Sequence, residues 1–226
     1  MDTTKKTARL AGLLYLIVVI LAPISIIYIP SKTIVRGDTV ATANKILANE
    51  FLFRTGIVTH LLCVIIFLFL ALVLYRLFKQ VNENQAKLML ALVTVQIPVQ
   101  FVIEICKITS LMIFKGELLK TFELQQSQEI AMLFLRFNGY GILVLEILFG
   151  LWLIPFGLLV IKSGFIPKIF GILLIITGIA YCFEFFISLL FPEYRAFLSQ
   201  FIFVFYFGEP AIMLWLLIKG VKEYKE

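Results

Sequence analysis

Residues 10–29 read LAGLLYLIVVILAPISIIYI, 20 positions without a charge, and Pro30 follows. At 1.5 Å per residue such a helix reaches about 30 Å, the thickness of a bilayer's hydrocarbon core. The run outlasts the roughly 7–15 apolar residues of a signal peptide, and no small-residue cleavage site follows it. It reads as a retained span. The same reading applies at 57–75, which contains the only histidine, His60, and at 88–114, which carries Glu104 and Lys107. It applies again at 137–161 with Glu146, at 169–191 with Glu184, and at 196–218 with Glu209. No window alternates polar and apolar residues with period two, so a membrane β-barrel is excluded. The expected fold is all-α: a polytopic six-helix transmembrane bundle in a single domain, residues 1–226.

Composition agrees with that reading. Hydrophobic residues make up 62% of the 226 and charged residues 15%, with a mean hydropathy of +1.04. Soluble domains carry roughly half and a quarter, so a water-soluble enzyme and a disordered chain are excluded. The net charge is +6, yet no run of four Lys or Arg exists to track a phosphate backbone, so nucleic acid is not an expected partner. The lipid bilayer is. Cys63, Cys106 and Cys182 lie apart within apolar segments, which speaks against a disulfide framework or a structural zinc site. The sequence calls for no metal and no cofactor.

Orientation follows from Lys and Arg placement. With the N-terminus inside, 11 basic residues fall on the cytoplasmic side and 8 on the other, leaving out Lys107 within its span. The positive-inside rule therefore places both termini in the cytoplasm. Ser163-Gly164 and Pro167 predict a helix stop and restart between spans four and five. In the first outer loop, Asp38 offers an N-cap, and Val40, Ala43, Leu47 and Phe51 recur at helical spacing. That pattern predicts an interfacial helix. Residues 116–136 read as helical extensions above the outer surface.

The polar residues inside the spans carry the functional expectation. An ionised group in hydrocarbon costs a few kcal/mol and normally faces the bundle interior or a cavity. Gln96, Gln100, Glu104 and Lys107 form one stripe on the third span; Thr177, Tyr181, Glu184 and Ser188 form another on the fifth. Gly171 and Gly178 on the fifth span predict close approach by a neighbouring helix. Depth arithmetic puts Glu104, Glu146, Glu184 and Glu209 in the outer half of the bundle, where one shared acidic cavity is expected. Its candidate ligand-binding residues are Glu104, Lys107, Glu146, Glu184, Glu209, His60, Gln100 and Tyr181. No catalytic motif is present, so no catalytic residue is assigned. The expected function is binding or transport of a small cation or a cationic amphiphile. Two alternatives stay open: an intramembrane acid–base enzyme using a Glu pair or His60, and a non-catalytic assembly factor whose carboxyls only join helices.

Several stretches resemble an uncharacterised bacterial membrane protein family, domain of unknown function 4386. They are Ala8-Arg9-Leu10-Ala11-Gly12-Leu13-Leu14-Tyr15-Leu16, Phe51-Leu52-Phe53-Arg54-Thr55-Gly56 and Ser163-Gly164-Phe165-Ile166-Pro167-Lys168-Ile169-Phe170-Gly171. Gly208-Glu209 and Leu214-Trp215-Leu216-Leu217-Ile218-Lys219-Gly220 match near the end. The resemblance implies a multi-span protein of the bacterial cytoplasmic membrane and carries no assigned activity. Among the candidate acids, only Glu209 lies in a resembling stretch.

Overall fold

The computed structural model describes residues 3–194 and 207–221. Among them every regular element is helical. The order is α1 (Thr3–Pro23), a π turn (Ile24–Tyr28), α2 (Ile29–Thr33), α3 (Thr39–Ala48), α4 (Glu50–Phe78) and α5 (Glu83–Phe114). After these come α6 (Leu124–Ser163), α7 (Lys168–Leu190), a 3-10 turn (Pro192–Tyr194) and α8 (Gly208–Ile218). Among the described residues, five helices are long and apolar enough to cross a membrane: Thr4–Thr33, Glu50–Phe78, Glu83–Phe114, Leu124–Ser163 and Lys168–Leu190. The sixth expected span, 196–218, is described only in its last part. Residues 196–206 lie outside the described residues, and the 11 residues of α8 form a shorter apolar helix.

Several helices outrun the apolar segments that announce them, because their ends are built from polar turns. Helix α4 starts at Glu50, whose carboxylate takes Arg54 one turn on at 2.7 Å. The first helix continues past Pro30 to Thr33. Proline's ring clashes with the carbonyl four residues back in a regular helix. Here the N–H of Ile29 reaches the carbonyl of Ile24, five residues back, and this wider turn admits the ring. Helix α6 ends at Ser163 and α7 begins after Pro167, with Gly164 at φ +71°, where a side chain would be strained. Residues 116–123 differ from the expected helical extension: they form turns, and the helix starts only at Leu124.

Helix α3 forms as its cap predicts, with the Ala41 N–H donating to Asp38 Oδ1 at 2.8 Å. Its apolar residues divide between two faces. Thr42, Ala43 and Ile46 are buried, whereas Val40, Leu47 and, beyond the helix, Phe51 are exposed.

The chain forms two compact units. One comprises the described residues of Met1–Val18, Ile66–Ile97 and Leu143–Glu226; the other is Val19–Ile65 with Pro98–Ile142. In the first, Trp152 stacks on Phe156 at 5.5 Å and takes the edge of Phe67 at 5.1 Å. Helices α6 and α7 approach backbone to backbone: a Cβ added to Gly157 would lie 2.6 Å from the Gly171 carbonyl, and one on Gly178 would lie 2.6 Å from that of Gly150. Helices α1 and α8 do the same where Gly12 faces the backbone of Leu217. In the second unit, Ile46, Phe53, Ile57, Leu111, Phe114, Met132 and Leu135 form a hydrophobic core. At its rim Lys115 reaches Glu117 at 2.9 Å and Glu50 at 3.2 Å. Its hydrogen bonds to those two carboxylates hold the ammonium above the usual lysine range.

Candidate functional site

The inward stripe on α5 is real: Gln96, Gln100, Glu104 and Lys107 are all buried. In the second unit it meets α4 and α6. His60 Nδ1 stands 2.6 Å from Glu104 Oε1, and Lys107 Nζ donates to the same oxygen at 2.8 Å. Asn138 Nδ2, held by the Ile103 carbonyl at 2.8 Å, approaches it at 3.4 Å. Three helices thus direct donors at one carboxylate oxygen. Exposure is 1% for Glu104, 2% for His60, 5% for Asn138 and 7% for Lys107, so the cluster is shielded from its surroundings. Glu104 Oε2 is buried too, and no described residue donates to it. Lys107 balances the charge of Glu104 at i, i+3, as burial in apolar surroundings requires.

A second cluster lies in the first unit. The Tyr15 hydroxyl donates to Glu209 Oε2 at 2.5 Å, joining α1 to α8. Tyr181 on α7 is a further hydrogen-bond partner of Glu209, and the charges of Glu184 and Glu146 act on Tyr181 as well. Glu209, Glu184 and Glu146 thus all act electrostatically on Tyr181, while Glu104 belongs to the other unit. Glu146, Tyr181, Glu184 and Glu209 are each half-buried. Around them, Phe149 packs edge-on to Tyr181 at 6.4 Å between ring centres, and Tyr15 lies 6.4 Å from Trp152. Gln96 serves elsewhere in that unit, bridging the carbonyls of Leu92 and Leu148.

Two members of these clusters escape a reading that follows ionisable groups. Tyr15 stands in the charge-free first span, and Asn138 opens the fourth. Both are polar side chains in apolar runs, and that is the signal they offer. Among the described residues, no three His, Cys, Asp or Glu side chains are grouped to hold a metal ion.

Long apolar helices with polar clusters on their buried faces define a multi-pass α-helical membrane protein. The chain belongs to the family described as Domain of unknown function (DUF4386), whose model matches residues 10–220. No curated protein and no solved structure matches it.

Proposed function

We propose that this protein binds or transports a small cation or a cationic amphiphile at Glu209, Tyr15 and Tyr181, with Glu184 and Glu146 adding negative charge. The observation that carries the reading is Glu209, whose carboxylate is held by tyrosine hydroxyls from two other helices. A fixed carboxylate fits an ammonium head, and neighbouring aromatic rings add cation–π attraction of about 0.5–2 kcal/mol. A joint between helices needs only one neutral carboxyl; the further negative charge of Glu184 and Glu146 acting on Tyr181 favours a positively charged visitor.

Trp152, close to Tyr15, supplies a fluorescence reporter. In lipid nanodiscs, dodecyltrimethylammonium is expected to change tryptophan emission saturably, and dodecanol is not. Glu209→Gln should weaken the response about tenfold or more, the loss of roughly 1.4 kcal/mol of charge attraction. Equal affinity in both proteins would remove Glu209 from the site.

We further place the protein in the bacterial cytoplasmic membrane with six crossings. Helix α8 completes the sixth, both termini are cytoplasmic, and α3 lies on the outer surface with Val40 and Leu47 toward lipid. The lysine and arginine asymmetry supports this orientation. In a background lacking the native cysteines, Ser31→Cys should react with a membrane-impermeant maleimide on intact cells and Gln80→Cys should not. The reverse pattern would invert the topology.

A further inference from the structure

We infer that His60, Glu104, Lys107 and Asn138 form a buried proton-exchange site, a function separate from cation binding at Glu209. The argument begins with charge. Lys107 alone neutralises Glu104, so His60 is one ionisable group more than a static ion pair in hydrocarbon requires. With a neutral ring the cluster has no net charge; with a protonated ring it carries +1. These two states differ by one proton. Ionisable groups buried in membrane helices pair with one another and line ion pathways and proton relays.

The geometry assigns the positions. A carboxylate at 2.6 Å from Nδ1 holds the Nδ1–H tautomer, which leaves the Nε2 lone pair as the place where the exchanging proton adds. In that step an O–H bond of a hydronium ion breaks as the N–H bond forms at Nε2 on uptake, on release the Nε2–H returns its proton to water, and the Nδ1–H stays directed at Glu104 throughout. Lys107 and Asn138 fix Oε1 from two other directions. Oε2, buried and without a donor from the described residues, lets the carboxylate turn and accept Lys107 there when the ring gains its charge. The groups that face His60 are Glu104 and Lys107 from α5, with Asn138 of α6 on the same oxygen. Cys63 follows one turn along α4.

His60 is the chain's single histidine, so its ring can be observed alone. The full chain, carrying 15N-labelled histidine, is placed in lipid nanodiscs and its ring nitrogens are recorded by NMR from pH 5 to pH 9. The expected wild-type result is a ring doubly protonated at the acidic end and singly protonated at the alkaline end. Glu104→Gln should keep the ring singly protonated throughout, because Lys107 then stands unbalanced beside it. Lys107→Met should keep it doubly protonated throughout, because His60 becomes the only counter-charge to Glu104. Opposite responses from two partners are not produced by a packing role. A wild-type ring with one protonation state across the range overturns the proposal. So do Glu104→Gln and Lys107→Met spectra that both follow the wild type; either variant alone suffices should the other fail to fold. Cation binding is read from tryptophan emission and Glu209→Gln, so either idea can fail without the other.

Discussion

Gly171→Leu is expected to lower the thermal midpoint of the purified protein by about 6–12 °C. A Cβ at this position would stand 2.5 Å from the Gly157 carbonyl oxygen and 2.6 Å from Ile161 Cγ1. The isoleucine can move aside; the carbonyl belongs to the backbone of α6 and cannot move without the helix. Overpacking in cores costs roughly 1–3 kcal/mol when side chains can adjust, and the upper end applies where the obstacle is main chain. For a chain of this size, roughly 2–4 °C accompanies each kcal/mol, which gives the expected fall. Gly139→Leu is the control, since nothing lies within 4 Å of a Cβ there. The measurement is intrinsic fluorescence during heating in detergent. If Gly171→Leu melts with Gly139→Leu, the backbone contact between α6 and α7 is not holding these helices.

The glycine contact also shows what the sequence could and could not disclose. Apolar length alone reveals the spans, because the bilayer imposes about 20 residues on any helix that crosses it. Gly171 and Gly178 are visible as a close-approach face through their spacing of seven. Their partners Gly150 and Gly157 share that spacing on α6, but no one-dimensional pattern says which helices meet. The resembling stretches acquire a physical meaning once folded. Gly12 meets Leu217, Gly208 meets Leu173 and Thr177, and Glu209 takes the Tyr15 hydroxyl. Those stretches are thus places where helices touch. Helix ends were less legible. The Glu50–Arg54 turn and the π turn before Pro30 depend on a salt bridge and on a backbone adjustment, neither of which changes hydropathy. Periodicity put Glu104 and Lys107 on an inward face, but the meeting with His60 needs two helices to pack in one register, which composition does not encode.

Glu104→Ala is expected to be among the most damaging single substitutions in the second unit, at about 3–5 kcal/mol. It leaves Lys107 and His60 buried with no carboxylate between them, and an uncompensated lysine in a membrane helix costs about 3 kcal/mol even on the lenient insertion scales. Lys107→Met should cost less, because Glu104 keeps His60 and Asn138 as partners. The double variant Glu104→Leu with Lys107→Met removes both charges and refills the space with apolar atoms. Buried ion pairs replaced in this way often lose little stability or none, so the double variant should be more stable than Glu104→Ala alone. The cycle is read from heating midpoints and from resistance to added dodecyl sulfate, with Leu and Ala both tested at position 104 to separate volume from charge. Strong non-additivity follows from Lys107 Nζ donating to Glu104 Oε1 at 2.8 Å. Should the two losses simply add, the pair is not coupled. Each charge would then have to be balanced by something other than its partner, and the donor convergence on Glu104 Oε1 would lose its energetic meaning.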